Sequence, residues 1–228
     1  MKKEILVFSL GGSLIVPDKV DYKYLHKFKS FINKLRKFYD IIIVTGGGKT
    51  ARNYIKAVKN EKLKPYYQSL VGIESTKLNA RLVAGFLDLS CRIPDSLKEV
   101  KEELFNHKVV VSGALGFQPD MTSDSNAAQI ASYTKAKYFI NLTNVNGLYD
   151  KDPNKYKNAK LISNITFKNF LLTVNKIKYE AGQHFVLDQA AAEIIDNKKI
   201  KTVIINGKNL NNLNNFILNK GFIGTLII

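Results

Sequence analysis

The chain has 228 residues, 45% hydrophobic and 24% charged, the make-up of an ordinary globular protein and a length suited to one large domain or two tightly joined ones. Its single cysteine, Cys91, excludes an internal disulfide, five prolines and fourteen glycines leave little room for disordered linkers, and no run approaches the roughly 18 uncharged apolar residues that a membrane span needs. The formal charge is +16, but the lysines are scattered, and their densest clusters, over 27–37 and 151–160, do not interleave aromatics with Gly or Arg as an RNA-binding sheet does; the charge reads as a solvated Lys/Asn-rich surface that also attracts nucleotides, with no nucleic acid expected as a partner.

Met1-Lys2-Lys3-Glu4 precedes an apolar run too short for a signal peptide, so the cytoplasm is the expected compartment. That run is a strand over 4–10, ending at Gly11-Gly12. A helix over 21–38 follows, with Leu25, Phe28, Ile32 and Leu35 at helical spacing. The second strand, 40–45, ends at Gly46-Gly47-Gly48. Helices are expected over 52–58, 66–89 and 97–105, then a strand over 108–111 that ends at Ser112-Gly113. The remainder reads as helix 123–135, strand 138–143, helix 184–196, strand 202–205, helix 209–218 and strand 225–228. Strands buried on both faces and alternating with helices predict an α/β fold, a three-layer sandwich with a central, mostly parallel sheet flanked by helices. We expect one compact domain over 1–228, with ligands bound beyond the carboxyl ends of the strands.

Glycine stands at several of those ends: Gly11-Gly12-Ser13, Gly46-Gly47-Gly48 and Gly113-Ala114-Leu115-Gly116. A glycine turn entering a helix offers free N–H groups and a positive dipole end, both suited to phosphate oxygens. One such turn alone is more often a plain tight connection; several on one sheet edge point to phosphate. None fits a Walker loop or Gly-x-Gly-x-x-Gly. Lys49 and Arg52 follow the triple glycine at a spacing that shares a helix face, where two cations oppose the dipole unless an anion is present. Downstream, Phe117-Gln118-Pro119-Asp120-Met121 runs into Thr122-Ser123-Asp124, any of which could cap a helix, while the hydroxyls and the helix N–H groups could also grip a phosphate. Asn146-Gly147 is a turn, and Asp152-Pro153 a loop or cap pair. His26, His107 and His184 are dispersed and the lone thiol has no activator, so redox, zinc and thiol chemistry lack support. Phosphoryl transfer, which works by positioning and charge neutralisation, needs least from side chains.

These pieces in this order resemble the amino-acid-kinase superfamily, and within it the uridylate kinases of archaeal type. The matching pieces include Gly11-Gly12-Ser13, Gly46-Gly47-Gly48-Lys49-Thr50-Ala51-Arg52, Gly72-Ile73 with Leu78-Asn79-Ala80, and Gly116-Phe117-Gln118-Pro119 with Thr122-Ser123-Asp124. They continue through Thr143-Asn144-Val145, Gly147-Leu148-Tyr149, Asp152-Pro153, Ala181-Gly182, Asp188, Ala191-Ala192 and Gly224-Thr225-Leu226-Ile227. The resemblance implies an ATP-dependent nucleoside monophosphate kinase acting on UMP, with Mg²⁺ held mainly by the ATP phosphates and with no metal ligand from the protein. Gly11, Gly12, Ser13, Gly48, Arg52, Thr143, Tyr149 and Asp152 would hold ATP. Gly47, Ser69, Phe117, Gln118, Pro119, Asp120, Met121, Thr122 and Ser123 would hold UMP. Lys49, Arg52 and Asp124 would serve catalysis. Residues 1–135 would form the acceptor lobe and 136–228 the ATP lobe, and a homo-oligomer, commonly a hexamer in the family, is implied.

The chain departs from the family at three positions: Ser9 stands where many members have Lys, and Ser69 and Asn146 where Asp is usual. Lys49 and Arg52 would then carry the charge load. The alternatives are a sister small-molecule kinase and a weakly catalytic nucleotide-binding or storage protein on the same scaffold. Isopentenyl phosphate kinases usually place His soon after the triple glycine, and residues 49–54 contain none.

Overall fold

The computed structural model describes residues 3–119, 121–176 and 187–228. Asp120, Ala181, Gly182 and the first residues of the helix expected over 184–196 lie outside them. The strands are β1 (Glu4–Leu10), β2 (Tyr39–Thr45), β3 (Val109–Ser112), β4 (Tyr138–Thr143), β5 (Asn164–Ile165), β6 (Thr202–Asn206) and β7 (Thr225–Ile227). They form one sheet in the order β3-β2-β1-β4-β6-β7-β5. Every neighbouring pair is parallel except β6 with β7.

The helices are α1 (Gly12–Ile15), α2 (Tyr22–Leu35), α3 (Gly48–Asn60), α4 (Pro65–Phe86), α5 (Leu97–Asn106), α6 (Ser123–Thr134), α7 (Phe167–Lys176), α8 (Gln189–Lys198) and α9 (Leu210–Ile217). They cover both faces of the sheet, and the strand period of two sorts the core into two layers. Leu6, Phe8, Leu10, Ile41, Ile43, Ile140 and Leu142 pack with residues of α1, α2, α4 and α9. Val7, Ile42, Val44, Phe139 and Ile204 pack with residues of α5, α6, α7 and α8. Double-sided burial explains why these strands read as near-continuous apolar runs rather than alternating ones.

The three-layer, mostly parallel architecture is the expected one, with local differences. The helix expected from residue 52 begins at Gly48, because the triple glycine itself starts the first turn. The helix α1 was not anticipated; it is a single turn of four residues, closed by Val16 N donating to Gly12 O. Two-residue β5 is too short to carry a pattern. The helix α7 is absent from the sequence expectations, although Phe170 and Val174, four apart, mark its buried face.

Candidate active site

Strands β1, β2 and β3 are adjacent and parallel, so their glycine-bearing ends lie side by side on one edge, as the sequence pattern required. The turns after β1 and β2 are in direct contact. A Cβ on Gly12 would lie 2.0 Å from Gly48 N and 2.8 Å from Gly46 C, a space that only glycine leaves open. Gly48 itself has φ +62°, in the left-handed region. The rest of this edge is pinned from below. Gly11 N donates to Leu142 O at 3.0 Å, tying the first turn to β4. Asn79 Nδ2 of α4 donates to Gly46 O at 2.7 Å in a buried contact, and Gly46 N donates to Leu10 O at 3.0 Å. Ser13 sits half-buried in the one-turn helix that follows.

Lys49 and Arg52 lean the same way, as residues three apart on a helix must. The Lys49 ammonium is 3.9 Å from the Asp18 carboxylate, and Arg52 Nη2 is 3.4 Å from Pro17 O. Both contacts are solvated, so both cations stand at the rim of the glycine cradle and neither is consumed by a buried ion pair.

The centre of the edge lies where α6 begins. Ser9 and Asn141 are register partners on β1 and β4, both buried, on the face that α6 covers. Asp124, in the first turn of α6, accepts hydrogen bonds at Oδ1 from Ser9 Oγ (2.5 Å) and Asn141 Nδ2 (3.1 Å). Part of the residue's surface stays accessible, but its carboxyl is enclosed. Burial pushes that carboxyl up from the ordinary 3.8 to about 7; the nearby Asp188 carboxylate adds to the rise, and the hydrogen bonds from Ser9 and Asn141 oppose it. Asn141 Oδ1 is buried without a hydrogen-bond partner among the described residues. A desolvated acid beside an orphaned polar atom at a ligand-binding edge is the kind of tension that functional sites hold.

Thr122 is the N-cap of α6, accepting from Asp124 N (3.1 Å) and closing a capping box with Ser125. The capping role is thus realised at Thr122 rather than at Ser123 or Asp124. Its hydroxyl also donates to Asp188 Oδ2, and Ser125 Oγ donates to Asp188 Oδ1 at 2.6 Å. Asp188 in turn caps α8, accepting from Ala191 N at 2.8 Å. One carboxylate therefore ties together the first turns of α6 and α8. The sequence marked Asp188 only as a piece of the family pattern, and nothing local assigned it a partner.

The residues expected at the acceptor divide into two groups. Ser69 is exposed on α4, its Oγ 3.5 Å from Pro65 O. Tyr66, three residues earlier on the same helix face, meets Phe117 edge-to-face with ring centroids 5.0 Å apart. Phe117 and the segment that carries it therefore pack on the α4 face that carries Ser69. In that loop Gln118 Nε2 donates to Leu115 O at 3.2 Å, Pro119 is exposed, and Met121 and Ser123 are half-buried. Asn126 anchors the loop's base, accepting from Leu115 N (2.5 Å) and donating to Thr122 O (3.0 Å). Thr76 Oγ1 accepts from Ala114 N at 2.8 Å. Gly47 lies half-buried as the N-cap of α3, with Ser75 of α4 beside it.

Besides the residues of the glycine cradle, Thr143, Tyr149 and Asp152 are expected at ATP, at the end of β4 and beyond it. Thr143 closes that strand, and its carbonyl accepts from Gly207 N at 2.8 Å. Tyr149 forms an isolated antiparallel bridge with Leu161. Asp152 organises its own loop, accepting at Oδ1 from Asn154 N (2.9 Å) and at its carbonyl from Tyr156 N (2.9 Å). Asn146 Oδ1 accepts from Asn206 Nδ2 at 3.2 Å, which joins the loops after β4 and β6. Among the described residues no three His, Cys, Asp or Glu side chains group as metal ligands, and no helix is long and apolar enough to cross a membrane.

Comparison with known proteins agrees with this geometry. The profile of the amino acid kinase family matches residues 4–206. The uridylate kinase of Methanococcus aeolicus is 36% identical over 228 residues, covering 97% of this chain and 98% of its own length. That of Methanobrevibacter smithii is 34% identical, covering 98% of each. Among solved structures, the uridylate kinase from Archaeoglobus fulgidus superimposes with a TM-score of 0.85 at 30% identity, over 99% of this chain and 100% of that one. The UMP kinase from Ureaplasma parvum, at 23% identity, has the same fold with a TM-score of 0.82, over 100% of this chain and 99% of its own. The chain belongs to the amino acid kinase family, on the branch of the archaeal uridylate kinases.

Proposed function

We propose that this chain is a uridylate kinase of pyrimidine nucleotide synthesis, acting in the cytoplasm as a homo-oligomer. A phosphate oxygen of UMP attacks the γ-phosphorus of ATP. The bond from that phosphorus to the β–γ bridging oxygen breaks, and its electron pair leaves on ADP, giving UDP. The observation that carries this reading is the contact between the glycine turns after β1 and β2, with the enclosed carboxyl of Asp124 behind them. Backbone N–H groups at that edge suit a row of phosphates.

The roles then divide along the sheet. Gly11, Gly12, Ser13 and Gly48 approach the ATP phosphates, with Arg52 over them. Thr143, Tyr149 and Asp152 hold the rest of that nucleotide, so residues 136–228 supply the ATP lobe. Gly47, Ser69 and residues 117–123 receive UMP in the lobe formed by 1–135. Lys49 and Arg52 neutralise the charge that spreads over the transferring group. Asp124 fixes Ser9 and Asn141 beneath it. Mg²⁺, held mainly by the ATP phosphates, would supply further neutralisation of the phosphate oxygens.

A coupled ADP-release assay with ATP and Mg²⁺ tests the proposal, offering UMP, dUMP, CMP, AMP and isopentenyl phosphate in parallel. Release with UMP well above the others is expected. Release with isopentenyl phosphate alone would move the chain to a sister kinase, and silence with every acceptor, from protein that still binds ATP, would make it a nucleotide binder.

A further inference from the structure

The opposite edge of the sheet carries a feature that the kinase reaction does not use. A groove of about 750 Å³ opens at the amino-terminal ends of β1, β4 and β6. Six of its thirteen lining residues are lysines (Lys3, Lys135, Lys137, Lys198, Lys199 and Lys201), against one carboxylate, Glu4. Lysine and arginine together make up 35 of 228 residues in the whole chain, so the groove concentrates them about threefold.

Some of these cations have structural work. Lys3 Nζ donates to the carbonyls of Arg36 (3.1 Å) and Lys37 (2.7 Å) just past α2. Lys137 pairs with Glu4 at 2.7 Å, and Lys199 with Asp196 at 2.6 Å. Lys135, Lys198 and Lys201 are exposed and make no ion pair among the described residues. Lys135 and Lys198 stand at the carboxyl ends of α6 and α8, where a cation offsets the helix dipole. That effect is too small to account for the cluster: two helix ends supply about half a negative charge each. After Glu4 and Asp196 are also counted, a net charge of about +3 remains, within a few ångströms of solvent that an anion can fill.

The lining has no aromatic side chain on which a base could stack; beside the lysines it offers the Ser132 and Thr134 hydroxyls and short aliphatic walls. The volume is that of a small-ligand site. We infer that this groove binds a linear chain of three or more phosphates, read through its charge, whether free as inorganic polyphosphate or carried as the triphosphate tail of a nucleotide. It is separated from the glycine edge by the seven residues of β1, about 20 Å at a strand's rise, so occupancy here leaves the kinase site open.

Titration calorimetry of the intact chain with inorganic tripolyphosphate tests this, beside a triple variant Lys135→Asn, Lys198→Gln, Lys201→Gln. Asn is chosen at 135 because that residue has φ +54°. The wild type is expected to show two binding events, one at the glycine edge. The triple variant should keep that event, with unchanged ADP release from ATP and UMP as proof of folding, and bind at the groove at least about tenfold more weakly. Deoxythymidine triphosphate identifies the source: equal affinity means that the phosphate chain alone is read, and a tenfold preference for either probe names its carrier. A single event that survives in the triple variant, or two events unchanged by it, overturns the proposal.

Discussion

Replacing Asp124 by Asn should make the ligand-free protein more stable, by a margin that opens above the ordinary carboxyl value and grows until about pH 7. In the folded state burial raises this carboxyl to about 7 from an ordinary 3.8. Between those values the folded chain holds a proton that the unfolded chain has released. Stability is therefore fully present below the unfolded value and is lost as pH rises through about 7. A shift of about three pH units at about 1.4 kcal/mol each sets an upper bound of about 4 kcal/mol on the loss above pH 7. Asn cannot ionise, and its Oδ1 can still accept from Ser9 and Asn141. Urea unfolding at pH 5, 6, 7 and 8.5, without nucleotide or metal, reads the difference. The advantage of Asp124→Asn over the native chain should grow by roughly 1 kcal/mol per pH unit from 5 to 7 and level off above that. Under the proposed role of Asp124, turnover should fall in the same variant, because the stability is recovered by removing a charge that the reaction would use. A gap that does not change with pH, or a variant less stable at pH 8.5, would refute the assignment of Asp124 as the strained group.

Three further substitutions probe the glycine edge and the acceptor side. Gly12→Ala places a methyl group 2.0 Å from Gly48 N; it should separate the two turns, abolish measurable ATP binding in a nucleotide titration and lower stability by about 1–3 kcal/mol or more. Lys49→Ala should lower kcat by about a hundredfold while ATP affinity changes less than about tenfold, because a cation that acts on the transferring charge contributes mainly in the transition state; unchanged kcat would remove Lys49 from the mechanism. Ser69→Asp restores a charged acceptor on the exposed α4 face and should raise the preference for UMP over dUMP by about tenfold or more, the size of one charge-assisted hydrogen bond; equal kcat/KM ratios in the two proteins would show that residue 69 does not meet the ribose.

The parts of the fold that were legible in the sequence are those whose signal is local. The apolar runs of β1, β2, β4 and β6 could be read because a strand covered on both faces has no polar alternation to obscure it, and the glycines that follow β1, β2 and β3 stand out in the sequence as turns on one edge of the sheet. The one-turn α1 and two-residue β5 are too short for any periodicity to rise above chance. Side-chain networks are harder, because their partners come from distant segments. Asp188 reaches Thr122 and Ser125 across 66 and 63 residues, and the lysine groove gathers cations from three separate stretches, none among the lysine clusters that stand out in the sequence. Ser9 shows how a departure from a family pattern becomes intelligible only in register. Opposite Asn141 on the neighbouring strand and buried, it has no room to act as an exposed group aimed at a phosphate; its hydroxyl donates to Asp124 instead. The Ser9 hydroxyl supports the carboxyl beside it, and in the proposed reaction the positive charge would come from the rim, where Lys49 and Arg52 stand in solvent-exposed contacts that a bound nucleotide can displace.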